Sequence, residues 1–265
     1  MISRRYIEEW KTYAPWPENA QVEQDLIIER ALIEIFSDEL LKENLAFRGG
    51  TALHKIYLKP QARYSEDIDL VQTKEGPIKP LLVRLRERLE FLGTKRKVDQ
   101  SLHNNTIIYP FESEIAPVIK MKLKIEINTR EHFNVLGLKE VDLQVQVQNG
   151  WFSGGCNIPS YELEELLGTK LRALYQRSKS RDLFDLYWAY QHHSVNTEKL
   201  LKCYRAYMKF DVEHPPTQKI FIGNMEEKMQ DKDFTGDINV ILRPGVEYDN
   251  EAAYEFVKQT VLEKI

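Results

Sequence analysis

The sequence predicts an α+β protein in two parts: a mixed helix-and-strand region over residues 1–157 and a mainly helical region over 158–265. Two observations carry this reading. Strict polar–apolar alternation, the mark of half-buried strands, is confined to the first part, at 67–71, 121–129 and 141–147. Beyond about Tyr161 apolar residues recur at helical spacing, interrupted near 178–180, at Asn196 and at Pro215-Pro216.

The elements follow in order. Residues 3–13 read as a short amphipathic helix with Ser3 at its N-cap, ended by Pro15 and Pro17. From Glu18 to Asn44, Leu and Ile at helical spacing predict one long helix or two. Leu45–Arg48 form a short strand, Gly49-Gly50 break it, and Thr51 opens a helix to Tyr57. Asp67–Val71 alternate as a strand, and 78–92 read as a helix. Residues 105–110, 121–129 and 141–147 read as strands, and Pro159 ends a loop. After the helical stretch, 231–248 is mixed, a loop or short β segment, and Asp249 caps a last helix to about Lys264.

Composition narrows the function classes. Hydrophobic residues make up 42% and charged residues 29% of 265, enough to bury a core without disulfide or metal staples. A net charge of −4 excludes a histone-like basic protein, while leaving room for a local basic groove. Cys156 and Cys203 are far apart and no CxxC occurs, so the expected compartment is the reducing cytoplasm. The first residues lack the apolar core of a leader peptide, and no apolar run approaches a membrane span, so no membrane partner is expected.

The chemistry concentrates at two places in the first part. Asp67 and Asp69, two apart on a strand, point to the same face. Carboxylates so close resist joint ionisation unless a cation sits between them, and Mg²⁺ takes carboxylates together with phosphate oxygens. A bare DxD, a short and common string, more often marks solvated residues on the exposed face of an edge strand. The strand–Gly49-Gly50–helix turn upstream adds specificity, because glycine lets backbone N–H groups approach a phosphate at a helix start, where Thr51 adds a hydroxyl. Lys124, Glu126 and Asn128 share one face of a later strand, and Glu126 is either a third metal carboxylate or part of a solvent face.

The helix from Tyr161 to Arg177 places Lys170 within the stripe of Leu163, Leu167 and Leu174. A lysine there snorkels out or meets an anion, triphosphate being one candidate. Asp182 and Asp185, helical neighbours, could orient Lys170 or Arg181, transfer protons, or form a structural ion pair with Arg177 or Arg181. Arg172, Arg177, Lys179 and Arg181 could receive a phosphate backbone. His54, His192 and His193 show no metal-ligand spacing, and no GxSxG, HExxH or Walker-type motif occurs.

GGTALHKIY, RYSEDIDL, KIEI and ELLGTKLRALYQRSKSRDLFDLY, with the opening ISRRYIEEW, resemble the AbiEii family over roughly residues 20–190. These are nucleotidyltransferase-like toxins of type IV toxin–antitoxin and phage-defence abortive-infection systems. The resemblance implies a polymerase β-like nucleotidyltransferase core of a mixed sheet flanked by helices, a mainly helical C-terminal lobe, and a cleft between them. It implies that Gly49, Gly50 and Thr51 cradle a triphosphate, that Arg63 and Ser65 belong to the nucleotide motif ending in the metal ligands Asp67 and Asp69, and that Lys170 contacts phosphates. Either Asp182 or Asp185 is the last acidic catalytic position, and Glu126 is the third metal carboxylate by a looser match. The expected cofactor is Mg²⁺, as two ions, with an NTP as substrate. The expected reaction is transfer of NMP to RNA such as a tRNA 3′ end, with an AbiEi-type antitoxin as functional partner. The alternatives are transfer to a protein or small-molecule hydroxyl, or a non-catalytic nucleotide-binding module. On this reading Lys170→Ala abolishes transfer and leaves the fold intact.

Overall fold

The computed structural model describes residues 2–145 and 150–265. Gln146 and Val147, the end of the strand expected over 141–147, lie outside them. Helix α1 (Arg4–Trp10) buries Ile7 and Trp10 and precedes the Pro15/Pro17 break, and Ser3 holds its N-cap position without a side-chain bond. The stretch over 18–44 is two helices. In α2 (Asn19–Phe36) Glu18 and Gln21 cap the first turn reciprocally. Asp38 then accepts from Leu41 N at 3.2 Å and starts α3 (Glu39–Asn44).

Among the described residues seven strands form one mixed sheet: β1 (Leu45–Arg48), β2 (Asp67–Gln72), β3 (Lys97–Gln100), β4 (Asn104–Glu112), β5 (Lys120–Asn128), β6 (Leu138–Val145) and β7 (Gly154–Tyr161). Their spatial order is β3-β4-β5-β2-β1-β7-β6. Pairs β2/β5 and β1/β7 are parallel, and the others antiparallel. One face is apolar: Leu123, Ile125 and Ile127 of β5, Ile107 and Tyr109 of β4, and Ile68 and Leu70 of β2 are all buried. Helix α2 packs against β5, β6 and β7 and brings Val22, Leu26, Ile28, Leu32 and Phe36 into this core. Each such side chain contributes about 1.5–3 kcal/mol when fully buried. The opposite face of β2 and β5 is only half-buried and carries their charged residues.

The sheet differs from expectation at two strands. Strand β3 holds one apolar residue, Val98, too few for alternation to show. Strand β7 contains Pro159, where the glycines and proline predicted a loop. It forms because β6 offers a ladder along its whole length, from Val145↔Gly154 to Leu138↔Tyr161. It meets β1 only around Phe47↔Ser160, so the missing Pro159 N–H leaves little ladder unmade on that side. Helix 78–92 is shorter than its pattern: α5 (Lys79–Arg88) gives way to a 3₁₀ turn over Glu90–Leu92.

The chain divides into two compact units. One runs to Asn134 and resumes over Leu138–Tyr161; the other is Val135–Gly137 with Glu162–Ile265. The division falls after β7, beyond the expected position at 157. Val135–Gly137 join the second unit through Glu165, whose carboxylate accepts from Val135 N at 2.7 Å, Leu136 N at 2.8 Å and Tyr207 Oη at 2.8 Å.

The second unit is helical: α6 (Leu163–Gln176), α7 (Ser180–His192), α8 (Thr197–Asp211), α9 (Gln218–Met229), α10 (Lys232–Gly236) and α11 (Asn250–Thr260). Asn196, Thr217, Asp231 and Asp249 cap four of these with their side chains. The mixed 231–248 segment therefore starts as a helix, because Asp231 caps it. Among the described residues no helix is long and apolar enough to cross a membrane.

Helices α6 and α8 touch through Gly168. A Cβ there would stand 2.7 Å from Cys203 Cβ, 2.9 Å from Tyr204 N and 3.0 Å from Leu200 O. Gly223, inside α9, has nothing within 4 Å. Thermal unfolding should separate the two positions. Gly168→Ala is expected to lose about 1–3 kcal/mol through overpacking, and Gly223→Ala to gain up to about 1 kcal/mol of helix propensity. The reverse order would contradict the close α6–α8 crossing.

Candidate active site

The charged face of β2 and β5 is built by register. Asp67 and Asp69 alternate with the buried Ile68 and Leu70. Parallel pairing sets Asp67 opposite Lys124 and Asp69 opposite Glu126, so three carboxylates and one ammonium share a face. Lys124 Nζ stands 3.0 Å from Glu126 Oε1 and 3.8 Å from Asp67 Oδ2. Gln24 of α2 ties the two strands behind this face, donating to the carbonyls of Glu66 and Lys122 at 3.1 Å each. The Asp67 carboxyl is pushed up to about 6, first by burial and then by the negative charges of Asp69, Glu66 and Glu126, against the pull of Lys124. Burial works against the Lys124 charge, but Glu126, Asp67 and Asp69 outweigh it and raise its pKa. Lys124 is the residue of this site that the sequence did not single out. Its pattern placed it beside Glu126, but only the β2–β5 pairing brings it to Asp67.

The glycine turn lies against the same face. Arg48 is opposite Asp69 in the β1/β2 pair, and the next residue, Gly49, has φ +79°. A Cβ on Gly49 would lie 2.1 Å from Asp69 Oδ2, so only glycine fits beside that carboxylate. The helix begins at Gly49 rather than Thr51: α4 (Gly49–Ala52) continues as a π-helical turn to Tyr57. The amides of Gly49, Gly50 and Thr51 thus lie in the first turn, where N–H groups have no partner within the helix. Thr51 is buried, and its hydroxyl donates to the Asp67 carbonyl oxygen at 2.5 Å. Its only proton is spent there, so Ser65 Oγ, 2.7 Å away, donates to Thr51 Oγ1. Both hydroxyls therefore hold the turn against β2. Arg63 is also buried, and its guanidinium donates to the Tyr64 carbonyl oxygen at 3.1 Å. Asn128 accepts from the amides of Arg130 and Glu131 at 2.9 Å and ends β5 as a turn residue.

In the helical unit Lys170 does meet an anion within the protein. Its Nζ lies 2.9 Å from Asp182 Oδ1 and 2.8 Å from Asp185 Oδ2, with both aspartates fully buried. Arg177 grips Asp182 with Nε at 2.7 Å and Nη2 at 2.9 Å. Burial opposes the Asp182 charge, but Lys170 and Arg177 outweigh it and hold the carboxyl below its ordinary range. The two aspartates thus orient Lys170 and not Arg181, which makes no ion pair among the described residues.

Among the described residues no three His, Cys, Asp or Glu side chains stand together as a ready metal cage. The donor set of Asp67, Asp69 and Glu126 nonetheless suits Mg²⁺, a hard ion that uses one or two carboxylates plus substrate phosphates rather than an all-protein cage.

A strand–glycine–helix turn thus packs on a two-carboxylate strand, with a third carboxylate in register. The chain belongs to the nucleotidyl transferase AbiEii toxin family of type IV toxin–antitoxin systems, whose description fits residues 30–259. It is a nucleotidyltransferase-family enzyme, and the family implies an NTP substrate and an antitoxin partner. The fold is similar to that of MenT4, a nucleotidyltransferase toxin from Mycobacterium tuberculosis H37Rv, at 15% identity and TM-score 0.69 over 100% of this chain and 91% of that one. It is also similar to JHP933 from Helicobacter pylori, at 17% identity and TM-score 0.56 over 93% and 94%. No curated protein matches the chain.

Two outcomes follow from the charges. The folded Asp67 carboxyl titrates near 6, above its ordinary value of about 3.9, so its charge opposes folding above pH 6. Without added metal, Asp67→Asn should raise the melting temperature at pH 7–8 by about 2 °C or more. That gain should shrink as pH falls through 6 and vanish towards 4, where wild-type Asp67 is itself protonated. A gain independent of pH would contradict this account. Lys170→Ala, which on sequence grounds leaves the fold intact, is here expected to leave a buried carboxylate under-compensated and to cost about 3–5 kcal/mol. Adding Asp185→Asn should recover part of that in thermal unfolding; no recovery would break the assigned pairing.

Proposed function

We propose that the protein transfers NMP from an NTP to a hydroxyl of RNA, with a tRNA 3′ end as acceptor. The observation that carries this is the register of Asp67, Asp69 and Glu126 on one face beside the Gly49 turn. Bound at these carboxylates, two Mg²⁺ ions would supply Lewis-acid stabilisation of the attacking and leaving oxygens. The protein's own groups do the rest. The amides of Gly49, Gly50 and Thr51 donate to the β- and γ-phosphates at the helix start, and glycine at 49 keeps the backbone close to Asp69. Thr51 and Ser65 pin that turn to the Asp67 carbonyl, and Arg63 braces the segment leading into β2. Glu126 accepts the proton of the attacking hydroxyl. The hydroxyl oxygen bonds to the α-phosphorus as the bond to pyrophosphate breaks. In the helical unit we assign phosphate contact to Lys170, with Asp182 and Asp185 as the residues that position it. The functional partner is an antitoxin, which we assign to the AbiEi type.

The test is purified protein with Mg²⁺, total cellular RNA and each labelled NTP in turn, beside Asp67→Ala/Asp69→Ala. Label in an RNA band, reduced roughly 10³-fold or more in the double variant, is the expected result. Label on protein or a small molecule would instead assign a different acceptor. Mg·NTP binding without any transfer would make the chain a non-catalytic nucleotide-binding module.

A further inference from the structure

The direction of the reaction across the sheet locates the acceptor. In an in-line displacement the attacking and leaving oxygens lie on opposite sides of the phosphorus. The turn assigned to the leaving phosphates, Gly49–Thr51, follows β1 on one side of β2, and Glu126 lies on β5 on the other side. The attacking hydroxyl therefore comes from the β5 side, where the sheet continues into β4 and the edge strand β3.

That continuation is an open surface with an ordered charge pattern. Register places Asp69, Glu126, Thr106 and Asp99 in one row across β2, β5, β4 and β3. The next row is Asp67, Lys124, Ile108 and Lys97. Further along β5 come Lys122 opposite Pro110 and Lys120 opposite Glu112. All these positions share the face of the carboxylates, because residues two apart on a strand and residues in register point the same way. Lys97, Lys120 and Lys122 are exposed, and none makes an ion pair among the described residues. Asp69, Glu126 and Asp99 thus share one row, and Lys97, Lys122 and Lys120 lie in the rows beyond it, with Asp67 and Glu112 as the acids among them.

We infer that the face of β5, β4 and β3 is the binding track for the single-stranded 3′ end of the RNA acceptor, with Lys97, Lys120 and Lys122 on its phosphates and the terminal hydroxyl at Glu126. Lysines two apart on a strand are spaced about 6.6 Å, close to the separation of successive phosphates in an extended strand. Lys120 and Lys122 form such a line on β5, and Lys97 flanks it two strands away on β3. The half-exposed Ile108 and the exposed Pro110 give the row an apolar floor for sugars and bases.

This rests on the proposed RNA transfer, and the experiment separates the two. Lys97→Ala/Lys120→Ala/Lys122→Ala is compared with wild type and with a charge-matched control, Lys11→Ala/Lys219→Ala/Lys232→Ala, all as full chains. Transfer to a single-stranded RNA 3′ end is measured as a function of RNA and salt concentration, together with Mg·NTP binding. The track variant should raise the KM for RNA on the order of tenfold or more, and its log–log salt dependence should be about two units shallower. Its Mg·NTP affinity should match wild type, which also shows that it is folded, and the control should behave as wild type. Unchanged KM and salt dependence in the track variant, with wild type labelling RNA, would overturn the track and leave the transfer reading standing. An equal loss in the control would also overturn it, as an effect of net charge. No labelling of RNA by wild type would remove both.

Discussion

The parallel pairing of β2 with β5 is the constraint on which the rest of the site depends. It sets Asp67 against Lys124 and Asp69 against Glu126. A shift of β2 by one residue would send Asp67 and Asp69 into the core and bring Ile68 and Leu70 out to water. The register is therefore held by the hydrophobic face, where Ile68, Ile125 and Ile127 are fully buried and α2 packs against β5. Gln24 of α2 reinforces it by bonding the backbone of β5 at Lys122 and that of Glu66, the residue just before β2. The core thus stabilises an arrangement that its charged side resists, since burial first and the neighbouring carboxylates second push the Asp67 carboxyl upwards.

Lysine resolves charge crowding twice, in opposite ways. Around Lys124 the partners are part-exposed, 34% for the Asp67 side chain and 38% for Glu126, and the contacts include one of 3.8 Å. Such a cation screens the carboxylates and can yield to a stronger one. Around Lys170 both aspartates are fully buried and the ammonium is 2.8 and 2.9 Å away, with Arg177 closing the group. Removing one member there strands a charge in the interior, so that cluster is fixed. The contrast is between a part-exposed acidic surface and a braced cation within a helical scaffold.

Much of this was legible from residue pattern. The break at Gly49-Gly50, the DxD strand and the alternation of 121–129 each depend on local chemistry, and they stand where the pattern put them. The helix start was displaced to Gly49, because glycine's positive φ and the crowding of Asp69 are tertiary facts. Likewise Thr51 looked like a phosphate donor, yet its hydroxyl is taken by a carbonyl from a distant strand. Strand β7 was illegible, since glycines and a proline carry no strand preference of their own and β6 supplies the ladder.

The sequence by itself determined which segments alternate and which coil, which residues carry charge on an otherwise apolar stripe, and the family to which its motifs belong. These are local properties, fixed by side-chain type and by periods of 2.0 and 3.6 residues. Tertiary structure decided the partners: that Lys124 meets Asp67, that Lys170 is held by both Asp182 and Asp185, and that Glu126 lies level with Asp69. Register between distant strands and crossings between helices arise from packing over the whole core, and no window of sequence contains that information.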